Sequence, residues 1–142
     1  MKKKTVIICI AAVLVVVIAF AFLYKDNLIR ACVSACRNHL QTYAQQMLKD
    51  KTPSGKYGPW ETLCYPEEGM VEFLTGGAGL VPNATYKGFY YSADNTHKPF
   101  SAAEGVTLTQ TDADNASWTD GTDNHGISVR ITENWFWFEA SF

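Results

Sequence analysis

The hydropathy pattern divides the chain before any composition is counted. From Thr5 to Tyr24 (TVIICIAAVLVVVIAFAFLY) there is no charge, proline or glycine. An apolar helix of about 20 residues matches the ~30 Å hydrocarbon core of a bilayer. Beyond Tyr24 the pattern becomes amphipathic. Ile29, Val33, Cys36, Leu40, Tyr43 and Met47 recur at helical spacing, with Arg30, Arg37, Asn38, Gln41 and Gln45 on the other sides. The first breaker after Met1 is Pro53, followed by Gly55. The pattern therefore predicts one helix of roughly 45 residues, ~70 Å long at the α-helical rise. Residues 5–24 form a transmembrane half and 25–50 an amphipathic spine.

Residues 51–142 read as a β-rich domain. Lys51 to Pro59 is turn-rich and ends the helix. Tyr65–Leu74 reads as a short helix, with Pro66 in its first turn, Glu67 and Glu68 at its positive end and Gly76-Gly77 as a stop. A strand over Met70–Leu74 is the alternative. Gly76-Gly77-Ala78-Gly79 has neither the Lys-Ser/Thr of a phosphate loop nor an apolar strand leading into it, so it reads as a plain loop. From Tyr86 the period becomes two. Tyr86–Ser92, Val106–Gln110, Ala116–Thr119, Gly126–Thr132 and Trp135–Ser141 read as strands of an antiparallel meander. A two-residue turn at Glu133-Asn134 would pair Thr132 with Trp135 and Ile131 with Phe136. That register puts Ile127, Val129, Ile131, Phe136, Phe138 and Ala140 inside, and Arg130, Trp135 and Trp137 outside. A sheet with one apolar face needs a cover. The stripe from Ile29 to Met47 supplies it, so the expected class is α+β: a long N-terminal helix packed on a small antiparallel meander.

Charge and cysteines narrow the setting. Without Lys2, Lys3 and Lys4 the chain carries nine basic residues against fourteen acidic ones, a net of −5. From Phe100 onward only Arg130 opposes seven acids, which argues against nucleic acid and anionic headgroups as partners. The basic tail at 1–4 before an apolar run keeps the N-terminus cytoplasmic and places the domain outside. This start has a bacterial cast. Ala19-Phe20-Ala21 also fits a signal-peptidase site, which would release a secreted domain after Ala21. Of the exported cysteines, Cys32 and Cys36 lie one helical turn apart, a poor geometry for mutual bridging. Cys64 bridging to Cys32 or Cys36, or reduced buried thiols, are the two open readings.

Candidate chemistry is sparse. His39, His97 and His125 are scattered, Asp112-x-Asp114 meets Ala116 where a third calcium ligand would stand, and neither a metal nor a cofactor is expected. The one candidate binding surface is the tryptophan face: Trp118, Trp135 and Trp137, with Arg130 opposite Trp137, could stack on a carbohydrate or a peptide.

In layout, a long helix half in the membrane and half packed on an antiparallel sheet resembles a type IV pilin or pseudopilin. That family's processing junction, Gly or Ala followed by Phe, has no counterpart in Lys4-Thr5-Val6-Ile7-Ile8-Cys9. The resemblance implies a structural or assembly protein rather than an enzyme. The expectation is thus a single-pass, membrane-anchored, non-enzymatic module that meets other membrane or envelope proteins. The alternative is an exported surface domain binding carbohydrate or peptide.

Overall fold

A computed structural model describes residues 2–80 and 83–142, with side chains from Val6 onward, so the expected basic tail at 1–4 lies outside the described side chains. The chain forms two compact units, divided between Cys32 and Val33.

The first unit is helical. Helix α1 spans Lys2–Leu23 and α2 spans Lys25–Asp50, its first turns belonging here. The single helix expected from the pattern is thus interrupted at Tyr24. The break is one residue wide, because i→i−4 bonds continue on both sides: Tyr24 N–H to Phe20 O (3.0 Å) and Leu28 N–H to Tyr24 O (2.9 Å). No proline or glycine marks it, so nothing in the sequence signalled it. Residues Val6–Leu23 have a mean hydropathy of 3.4 and none of them is buried. This apolar N-terminal helix is long enough to be a membrane anchor or a signal sequence.

The second unit packs the remainder of α2 against an eight-stranded antiparallel sheet, an α+β arrangement. The strands are β1 (Ser54–Tyr57), β2 (Trp60–Tyr65), β3 (Met70–Ala78), β4 (Thr85–Ser92), β5 (Thr107–Gln110), β6 (Asn115–Thr119), β7 (His125–Thr132) and β8 (Trp135–Ser141). Their order is β1-β2-β3-β4-β8-β7-β6-β5. The expected single meander is therefore two four-stranded meanders, joined where the last strand, β8, pairs with β4. Residues 93–106 make the long connection between them.

The five strands from Tyr86 onward form much as the alternation predicts, but the first three were misread. β1 lies inside the expected linker, and over Tyr65–Leu74 the alternative reading holds: the strand from Met70, not the helix, forms as β3. Of that helix only a 3₁₀ turn at Pro66–Glu68 survives, closed by Gly69 at φ 61°. The reason is burial on both faces: Met70, Val71, Glu72 and Phe73 are all buried, and such a run carries no alternation to announce a strand. Gly76 and Gly77 continue β3 instead of forming a loop.

The terminal hairpin departs from the expected register by one residue. Thr132 does pair with Trp135, but a bulge between Arg130 and Thr132 then sets Arg130 against Phe136, Val129 against Trp137 and Ser128 against Phe138. A bulge inserts an unpaired residue and exchanges the faces beyond it. Ile127 and Val129 thus share a face with Trp135 and Trp137, while Ser128 and Arg130 share the other with Phe136 and Phe138.

Helix α2 covers the tryptophan face. Leu40, Ala44 and Met47 are buried along it, whereas Cys36, expected in the stripe, is exposed. Tyr43 meets Phe73 with ring centroids 6.0 Å apart, and its hydroxyl lies 3.0 Å from Thr62 Oγ1. Gln45 Nε2 donates to the Tyr91 hydroxyl (3.3 Å). Beneath lie Phe73, Phe89 and Trp135, with Phe73 stacked on Phe89 at 4.7 Å.

Candidate functional site

The opposite face of the sheet has no α-helix among the described residues, only a 3₁₀ turn at Phe100–Ala102. Its core is Met70, Tyr90, Trp118, Phe136, Phe138 and Ala140. Two glycines let aromatic rings lie flat on this surface. Gly88 stands opposite Phe138 and Gly126 opposite Trp118, and a Cβ at either would collide with the facing ring. The cover is the strap 93–106, through Phe100, Ala102 and Val106.

An irregular segment cannot satisfy its own backbone, so the sheet must hold it with polar groups. Three anchors do so. At the entry, Asn95 Oδ1 accepts from Arg130 Nη1 (2.5 Å) and from the Asn134 amide (2.8 Å), while Asn134 Nδ2 donates to Ser92 O (2.8 Å). Asn95 and Asn134 have φ of 58° and 64°, a region that asparagine tolerates better than most residues. Against some desolvation, hydrogen bonds from Lys98, Ser92 and Thr96 hold the Asp94 carboxyl well below its usual range.

In the middle, the Lys98 amide donates to the Tyr90 hydroxyl (2.8 Å), which lies 2.6 Å from Ser128 Oγ. Ser128 Oγ in turn lies 2.8 Å from His97 Nδ1, and His97 packs edge-on against Phe136 at 4.7 Å. Burial, and secondarily Arg130, lower the His97 pKa against the pull of the Ala113 carbonyl and of Asp112 and Asp114. At the far end, the Ser101 amide donates to Glu72 Oε1 at 2.6 Å. Ser101 and Ala102 hold φ of 56° and 49° to reach it, a conformation costly for residues with a Cβ. Glu72 is fully buried, and its Oε2 has no partner among the described residues. Desolvation pushes its pKa up to about 8, against the Ser101 amide and the Tyr65 hydroxyl, which favour the ionised form. Tyr65 is itself pushed up to about 12, by burial first and by Glu72 second.

A serine 2.8 Å from a histidine nitrogen is a pairing used in nucleophilic catalysis. Here Ser128 is 0% exposed and His97 5%, so with the strap in place a substrate does not reach Oγ. What the network does in this state is fasten the strap.

The residues singled out from sequence fall elsewhere. Trp135 and Trp137 are 0% exposed and Trp118 3%, so the tryptophan surface expected to face solvent is interior. The one-residue slip at the bulge and the cover of α2 bury the first two, and Gly126 receives the third. Arg130 does not face Trp137. Its guanidinium lies over the Phe136 ring at 4.6 Å and it also reaches Asp114 at 3.5 Å. Cys64 is a buried free thiol, its pKa raised by burial, and the bridge to Cys32 or Cys36 is not formed. The aspartates of the β5–β6 and β6–β7 connections cap their own turns: Asp112 Oδ1 accepts from the Asp114 and Asn115 amides (2.8 and 2.9 Å), and Asp120 Oδ1 from the Thr122 amide (2.9 Å).

Glu72, Tyr90, His97 and Ser128 were missed. Glu72 alone left a trace in the sequence, as a charge inside the apolar run Met70-Val71-Glu72-Phe73-Leu74. Comparison with protein-family models, curated proteins and solved structures finds no match for this chain.

Proposed function

We propose that this chain is a membrane-anchored, non-enzymatic structural or assembly module, pilin-like in layout, that holds its β-domain outside the cytoplasm. The carrying observation is the helix Val6–Leu23, unburied among the described residues at a mean hydropathy of 3.4: a run of eighteen apolar residues suits the hydrocarbon core of a bilayer. Lys2 to Lys4 set the orientation by the positive-inside rule. The domain's chemistry supports a structural role, since its histidine, serine and buried carboxylate are engaged in holding the strap. The carbohydrate- or peptide-binding alternative has lost its carrier, because the three tryptophans do not reach the surface.

Protease added to intact cells should digest residues beyond Tyr24, and the mature mass should show the N-terminal helix retained. A cytoplasmic reporter that is active when fused after Phe142 would overturn the orientation. A mature mass beginning after Ala21 would replace the anchor with a secreted domain.

A further inference from the structure

We propose that Glu72 is a proton-operated latch for the strap 93–106: as a neutral acid it lets the strap close on the second core, and its ionisation opens the strap. The argument starts from what surrounds the carboxyl. From β2 comes Tyr65, from β4 Tyr90 and from the strap the Ser101 amide. None of these carries a positive charge at neutral pH. The cationic groups of this face are engaged away from Glu72. Lys98 pairs with Asp94 at 2.8 Å, and Arg130 bonds Asn95 and lies over Phe136. His97 is held on Ser128, with Arg130, Asp112 and Asp114 as its charged neighbours.

An ionised Glu72 beneath the closed strap is therefore buried without a counter-charge, and one of its oxygens has no donor among the described residues. Opening the strap lets water reach it. The other half of the latch is the strap's own conformation. The single bond from Ser101 to Glu72 is made by a segment holding two consecutive residues with a Cβ at positive φ. That strain favours release once the carboxyl no longer fits its site.

Linkage fixes the direction. The closed-state pKa is raised to about 8, while an open strap returns the group to the ordinary carboxylate range of roughly 4 to 5. The closed form thus binds the proton more tightly, and the opening equilibrium rises up to about tenfold per pH unit between those values. At low pH the strap is shut, and the closure is lost as pH rises through about 8.

The test is amide exchange at Lys98 and Ser101 in the full chain in detergent micelles, corrected for intrinsic exchange, from pH 5.5 to 8.5. Protection at both amides should fall by about an order of magnitude per pH unit in the wild type and stay level in Glu72→Gln, which keeps the acceptor for Ser101. Equal slopes in the two proteins would overturn the latch, as would a wild type with no slope. A direct carbon-13 titration of the Glu72 carboxyl in the wild type decides the matter if Glu72→Gln fails to fold. A midpoint raised above the ordinary carboxylate range but short of the closed-state value supports the latch, and one near 4.5 overturns it.

Discussion

The two faces of the sheet solve the same burial problem with different means. On one, a regular helix brings its own satisfied backbone and rests mainly on apolar burial, with Leu40, Ala44 and Met47 buried and Tyr43 meeting Phe73. On the other, a strap with a single 3₁₀ turn covers Phe136, Phe138 and Tyr90, and the sheet must place polar groups in the core to receive it. A helical cover tolerates substitution of its outer residues. A strap depends on a few point contacts, each with its own pH limits.

The largest expected effects test whether the faces are equally buried. Trp137→Ala and Phe138→Ala, on opposite faces, should each cost about 3–5 kcal/mol in denaturant melts. A mild Trp137→Ala would restore the register without a bulge and break the comparison. Leu40→Asp, an unpaired charge beneath the helix, should cost several kcal/mol, while Asn38→Asp on the exposed side of α2 should change the melt little. Asn95→Ala leaves the Asn134 amide without its acceptor and removes the Arg130 Nη1 hydrogen bond. It should cost about 1–3 kcal/mol and raise amide exchange across the strap while leaving α2 protected. The acid limit sharpens the contrast further. Because the Asp94 carboxyl is held low, its contribution is present above the ordinary aspartate range and fades as pH falls through it. Asp94→Asn should therefore loosen the strap at neutral pH and match the wild type in strong acid. Arg37→Ala, removing only a 3.5 Å contact to Thr132 on the helical side, should stay within about 0.5 kcal/mol.

The helix itself was legible in the sequence, but the sheet face it covers is the tryptophan face and not the Phe136–Phe138 face that a bulge-free register assigns to it. A 3.6-residue stripe and an alternating strand are local signals, and Leu40, Tyr43 and Met47 announced their side correctly. The strap's face rests on long-range facts. Ser128 became a buried hydroxyl in reach of Tyr90 and His97 only because the bulge after Arg130 turned it inward. Trp118 is buried because Gly126, eight residues on, leaves room for its ring. His97 meets Ser128 across 31 positions, and no spacing rule reaches that far. The fully buried run Met70–Phe73 hid β3 for the opposite reason, since both its faces are interior and no period remains to be seen.

The placement of β8 has a consequence for how the domain is made. The last strand of the chain sits at the centre of the sheet, between β4 and β7, so the two meanders cannot join until residues 135–141 are present. A chain emerging N-terminus first carries β1 to β4 unclosed, with Phe89 and Tyr91 bare along one edge, until residues 135–141 follow. Folding that waits on such distant pairings is slow. Without residues 135–141 the two half-sheets have no seam.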